Sequence, residues 1–286
     1  MTRTLVHVVM VAGCVMAGST AWAQGQATPA PPGTQREIRG QAGASINNSG
    51  LQSTIEIAWI KPTSTSDHPL LSGAHLAAGI TNTLTPTQIK LGGWVEYSPL
   101  SVFALRAGLE PSAYFGTFDS LMGLGEYDEP FDPDSRKARG GAKAGTASRV
   151  YVSPVLRFKA GRVLGSGGVD LEWWRSSADR PFFFEPTRDT VLKSDGDRLL
   201  MATSVLVYQV QSGSAPLAIG AIHTLAQVAD APDNRIQKLG LIATKEFAAQ
   251  RFKLPHPRLT MVVARYLDDP SKQGEWTAAI AVGFRK

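Results

Sequence analysis

From residue 36 to its last residue the chain repeats with a period of two. Across 101–115, Phe103, Leu105, Ala107, Leu109 and Phe115 alternate with Arg106, Glu110 and Tyr114. Across 148–159, Val150, Val152, Leu156 and Phe158 alternate with Arg149, Arg157 and Lys159. Across 165–176, Val169, Leu171 and Trp173 oppose Asp170 and Glu172. Successive side chains of a strand point to opposite faces, so each segment makes a strand with one apolar and one polar face. No helical stripe of any length competes with this pattern, and the fold class is all-β.

The same alternation places strands at 36–47, 51–59, 72–83, 87–97 and 274–286, with further strand-like segments at 197–211, 215–228, 235–248 and 256–267. That makes about twelve strands. Within 199–210 both faces carry apolar residues, so the register is ambiguous there. Asn47-Asn48-Ser49-Gly50 tolerates the left-handed backbone of a tight hairpin. The connections at 98–100, 160–164 and 212–214 are tight, whereas 118–147 and 177–196 are long and polar. With both termini on one side, tight turns fall on that side and long loops opposite, although 61–71 and 47–50 break the rule.

Two solvents produce strict alternation. A soluble sandwich turns its apolar face inward, and a membrane barrel turns it to lipid. Segments of 11–15 residues exceed the usual soluble strand of roughly 5–6 and fit a tilted membrane strand of roughly 9–11. Aromatics near strand ends (Trp59, Tyr97, Phe115, Phe158, Trp276, Phe284) suit an interfacial girdle. The polar face mixes charge with Gly, Ala and Ser, as a confined lumen requires. An even strand count with alternating loop lengths is what closure demands, and closure removes edges that lipid cannot satisfy. The expectation is a closed antiparallel up-and-down transmembrane β-barrel over 36–286, against a soluble all-β alternative.

The N-terminus points to export. Arg3, an apolar run from Leu5 to about Ala17 and Ala21-Trp22-Ala23 form a charged start, a short apolar stretch and an A-x-A cleavage site, so residues 1–23 read as a signal peptide. Val11-Ala12-Gly13-Cys14 offers a rival reading as a lipobox acylated at Cys14. Cleavage after Ala23 leaves no cysteine, which removes disulfides and cysteine-zinc sites. Residues 24–35, QGQATPAPPGTQ, read as a disordered Pro-rich lead. The formal charge of +5 is spread along the chain with no Lys/Arg run, which argues against a nucleic-acid partner.

The terminal stretch GEWTAAIAVGFRK resembles the last strand of bacterial outer-membrane β-barrel proteins, with Trp276, Ile280, Val282 and Phe284 on one face and Phe284 as the terminal aromatic. It departs from that pattern in that Arg285 and Lys286 follow the aromatic. The resemblance implies a superfamily and no subfamily. It also implies a Gram-negative source and an outer-membrane location. As partners it implies outer-membrane lipid, lipopolysaccharide and the barrel-assembly machinery that reads such a strand.

Arg106, Glu110, Arg149, Arg157, Lys159, Asp170 and Glu172 share the expected inner face, with Arg39, Lys90, Glu37, Glu56, Glu96 and Glu275. They read either as the lining of a small, weakly selective pore for small solutes or as cross-strand ion pairs that stiffen the barrel. The loop at 125–141 clusters Asp128, Glu129, Asp132 and Asp134 before Arg136, Lys137 and Arg139, with no EF-hand spacing. No metal and no cofactor is expected. Phe182-Phe183-Phe184 either folds inward as a constriction or buries in the outer-leaflet interface. Outer-membrane hydrolases carry a His-x-Ser stretch that is missing here, and no enzyme is expected. The functional expectation is a diffusion channel. The alternatives are a non-conducting surface barrel with binding loops or an outer-membrane lipid hydrolase, which needs a serine within reach of His75 or His223.

Overall fold

A computed structural model describes residues 33–47, 50–118, 120–129, 138, 140–212, 215–247 and 254–286. The signal peptide, Cys14, nearly all of the Pro-rich lead and the charged run Asp132–Lys137 with Arg139 lie outside the described residues. The strands are β1 (Gln35–Ile46), β2 (Gly50–Pro62), β3 (His75–Leu84), β4 (Gln88–Leu100), β5 (Phe103–Phe115), β6 (Gly123–Leu124), β7 (Ala144–Ala160), β8 (Val163–Ser176), β9 (Phe182–Glu185), β10 (Thr190–Lys193), β11 (Asp197–Ser212), β12 (Ala215–Val228), β13 (Ala231–Glu246), β14 (Arg258–Asp268) and β15 (Trp276–Arg285). Gln35, placed at the end of the lead by sequence, already belongs to β1.

Twelve of these strands close into one barrel in chain order, with β1 paired to β15. Each neighbouring pair is antiparallel. The seam is completed by Ile38 and Lys286, which exchange N–H···O bonds of 2.8 Å in both directions. Closure leaves no strand edge, which is the condition for placing a sheet in hydrocarbon.

Neighbours on β13 show which face is which. Leu241 points outward and is 67% exposed, while Ile242 points inward and is 4% exposed. Leu51, Ile55, Leu91, Val95, Leu109, Val150, Leu156, Leu206 and Val263 share the outward face. A predominantly apolar exterior around a closed barrel is an outer-membrane β-barrel, and that is where this chain resides. Trp173, Phe115 and Trp276 lie toward one end of the belt, and Tyr208, Tyr97 and Phe158 toward the other.

The end that carries Gln35 and Lys286 is called here the terminal end. Its turns include 101–102 and 161–162, but 63–74 and 247–257 are long. At the opposite, loop end, 47–49, 85–87 and 229–230 are short. The predicted difference in loop length is therefore concentrated in two segments, 116–143 and 177–196. They supply β6, β9 and β10, which form a separate three-stranded sheet in the order β10-β9-β6.

Candidate functional site

The hairpin β9–β10 folds into the loop end of the barrel. Its reversal, Pro186-Thr187-Arg188-Asp189, is closed by the Arg188 N–H donating to Glu185 O at 3.2 Å, and Asp189 takes a left-handed conformation (φ 57°) that aspartate tolerates. Alternation gives this small sheet two apolar faces, and both are covered. Phe183 and Leu192 pack with Tyr114, Trp174, Leu199, Val228, Ile236 and Tyr266 of the wall. On the other face Phe184 and Val191 pack with Leu124, and Tyr127 meets Phe182 edge-on at 4.6 Å between ring centres. Of the two readings of the triple phenylalanine, the inward one is the geometry observed.

Charges fix the tip. The Glu185 carboxylate is fully buried and accepts hydrogen bonds from Tyr114 and Thr187, and from Lys90 and Gln88 at 3.3 Å each. Burial pushes this carboxyl up, but the Lys90 ammonium, the Thr187 and Tyr114 hydroxyls and Arg188 outweigh it and hold it below the ordinary range. Arg188 donates to both oxygens of Glu172, at 3.0 and 2.7 Å. Asp189 takes Lys272 Nζ at 2.7 Å, and Asn234 Nδ2 donates to Val191 O at 2.9 Å.

The wall side of these contacts is a continuous ionic chain. Lys90 reaches Glu185 (3.3 Å) and Glu110 (3.8 Å), Arg149 joins Glu110 (3.4 Å) to Glu172, and Trp174 Nε1 donates to Glu172 at 2.7 Å. A second chain lies nearer the terminal end. There Arg285 pairs with Glu37, Arg39 with Glu37 and Glu56, Arg106 with Glu56 (3.0 Å) and Glu96 (2.9 Å), and Glu96 meets His75 Nε2 at 3.1 Å. The Arg106 guanidinium also stacks on Trp94 at 3.8 Å from the ring centre.

Beneath the hairpin, a cavity of about 900 Å³ extends toward the terminal end. Its deep limit is set by Thr187 and Arg188, and its mouth by Pro255, His256, Arg258, Arg285 and Lys286. It lies mostly against β1–β5, β7 and β8, and touches β11 only at Met201 and Thr203. The remaining arc, β11–β14, turns Val205, Val207, Ile222, Ile242, Val262 and Ala264 inward, where they form one apolar cluster with Leu164. Gly220 and Gly240 sit inside this arc, where an added Cβ would fall 1.9 Å from Leu206 O and 2.2 Å from Val263 O, so a side chain at either would force the strands apart.

Among the residues predicted to line a lumen, Arg106, Glu110, Arg149, Arg157 and Asp170 line the cavity. Glu172 is 1% exposed and instead lies within the wall chain. Lys159 is a correction: it has inward parity, but it stands exposed at the terminal rim beside the turn 161–162, because parity reports the face and not the depth. Sequence reasoning missed Glu185, Arg188, Asp189, Asn234 and Lys272. The available signal was the run Glu-Pro-Thr-Arg-Asp directly after the three phenylalanines. On β15, Trp276, Ile280 and Val282 face outward, and the Phe284 ring lies over Gly40 of β1, where an added Cβ would be 2.1 Å from it. Of the acidic loop, Glu129 accepts from the Gly125 N–H, and among the described residues no group of three potential ligands could hold a metal.

The histidines differ. His75 faces inward between Gly73 O (2.8 Å) and Glu96. His223 lies on the lipid face, its Nε2 is 2.8 Å from the Gln237 amide, and its partner across the β11–β12 ladder is Ser204.

No protein-family model matches this chain, and no curated protein does. Solved structures similar in outline include the β domain of the Bordetella autotransporter Brka, at 13% identity over 88% of this chain and 98% of that one (TM-score 0.42). The translocator domain of the autotransporter NalP from Neisseria meningitidis matches at 14% identity over 90% and 89% (TM-score 0.43). An outer-membrane channel from Pseudomonas putida F1 matches at 10% over 92% and 99% (TM-score 0.36).

Proposed function

We propose that this barrel is a gated diffusion channel for small solutes, shut at rest by the hairpin Phe182–Lys193. The observation that carries the reading is the position of Glu185, buried against Lys90, Gln88 and Tyr114 of the wall between the cavity and the loop end. A loop that served only as an adhesive surface would have no need to bury a carboxylate there, since burying a charge is costly unless it is paired and hydrogen-bonded. Thr190 and Asn234 side chains meet at 3.1 Å, so Thr190→Cys with Asn234→Cys provides a lock. In a planar bilayer the oxidised double variant stays silent and the reduced form shows discrete steps. Equal conductance in both states overturns the gate, and silence of the reduced form together with Glu185→Ala overturns the channel.

The pH response follows from the Glu185 carboxyl, which docking lowers. Its contribution to docking is present above the ordinary carboxylate range and lost as pH falls through the docked value. Acid therefore raises the open probability in wild type, and the response is smaller in Glu185→Ala, where only the Glu172–Arg188 and Asp189–Lys272 pairs remain to be lost.

A second reading, lipid hydrolysis, rests on the lipid-facing pair Ser204 and His223 with Gln237 behind the ring. Directly opposed strand residues have Cβ atoms about 4.5–5.5 Å apart, within reach of a rotated hydroxyl. Release of fatty acid from phospholipid micelles, abolished by Ser204→Ala, would support it; no release by wild type removes it.

A further inference from the structure

We propose that the terminal-end cavity binds a small organic anion, with its carboxylate or phosphate seated on Arg157. The inference begins with an imbalance among the inward cations. Arg39, Lys90, Arg106, Arg149 and Arg188 each have a carboxylate within 4 Å. Arg157 lines the same cavity, yet among the described residues it has no ion pair, and its Nε is buried without a hydrogen-bond partner. The nearby carboxylates are already shared, Glu56 by Arg39 and Arg106, and Glu96 by Arg106 and His75.

Arg157 is attracted by Glu96, which Arg106 and His75 already hold, and is repelled by Arg106 and Arg39. Arginines converging on an enclosed space favour an anion, and a planar guanidinium matches a carboxylate or phosphate with two parallel bonds. Asp170, a cavity carboxylate outside the two ion-pair chains, is hydrogen-bonded by Ser153 and lies four residues farther toward the loop end. It leaves the deeper part less favourable to negative charge, so the anionic group belongs near the mouth. Val155 and Phe247 border the space, and about 900 Å³ suits a ligand with an apolar body.

This site does not depend on the gate, because its mouth is at the end opposite the hairpin. The test is calorimetric titration of the refolded full-length barrel in detergent with benzoate and, separately, inorganic phosphate. Saturable binding of benzoate, weakened about tenfold or more in Arg157→Gln, is expected. Binding of phosphate alone would assign the site to the free oxyanion and overturn the organic body. No saturable binding of either probe, or unchanged affinity in Arg157→Gln, overturns the proposal. A readout that needs no variant is arginine modification by phenylglyoxal, followed at the Arg157 peptide by mass spectrometry. Benzoate should slow it, and an unchanged rate overturns the site. The oxidised Thr190→Cys, Asn234→Cys barrel should bind as wild type does, which separates failure of this inference from failure of the gate.

Discussion

The two halves of the barrel wall do different work on the same interior. The arc β1–β8 faces inward with charge, and its ion pairs hold the hairpin and border the cavity. The arc β11–β14 faces inward with Val205, Ile222, Ile242 and Val262, which pack on one another. One arc is specific because each charge must find its partner, and buried charges tolerate few arrangements. The other is permissive because apolar contacts are non-directional. A barrel wall can thus divide its inner face, using one side to position an inserted hairpin and the other to hold shape.

Breaking the charged arc should produce the largest effect. Glu172→Ala strands Arg188 and the Trp174 N–H and leaves Arg149 with Glu110 alone, a loss of about 3–5 kcal/mol for a buried pair. It is expected to lower the urea midpoint and to raise conductance together, because Arg188 belongs to the hairpin. In the apolar arc, Ile222→Ala should cost about 2–5 kcal/mol in the same denaturation experiment, with no gain in conductance. A conducting Ile222→Ala would erase the distinction between the arcs. The smallest effect is expected at the loop-end rim, where an exposed Arg235 pairs with a half-buried Asp268: Asp268→Asn should change stability by about 0–1 kcal/mol and leave gating alone. A larger shift there would show that the rim contributes to the lock.

The outward face was legible in the sequence because contrast between neighbours is what the period of two reports. It held from Phe103–Phe115 through Leu171 and Trp173, and the twelve-strand count followed. The contrast vanishes at 199–210 because Val205 and Val207 face an apolar interior while Leu206 and Tyr208 face lipid. No rule of alternation can separate two apolar surroundings. Phe182–Phe184 was equally ambiguous, since an aromatic run is satisfied by a bilayer or by a barrel core. What decides it is the set of partners that Glu185, Arg188 and Asp189 find on β4, β8 and the 269–275 turn, and such long-range pairs leave no local trace. The pairing of mixed charges was foreseeable from their signs, whereas depth along the barrel, on which Lys159 and Arg157 differ, was not.

The hairpin is tied to the wall on both sides, by residues 177–181 to β8 and by 194–196 to β11, and those two strands are themselves neighbours. A released tip therefore stays within a short tether of the surface it left, at an effective concentration of about millimolar or more. Re-docking is then a first-order event that neither dilution nor a competing soluble partner can outrun. For the proposed gate this means self-closure: two short linkers hold the tip beside its dock through every opening.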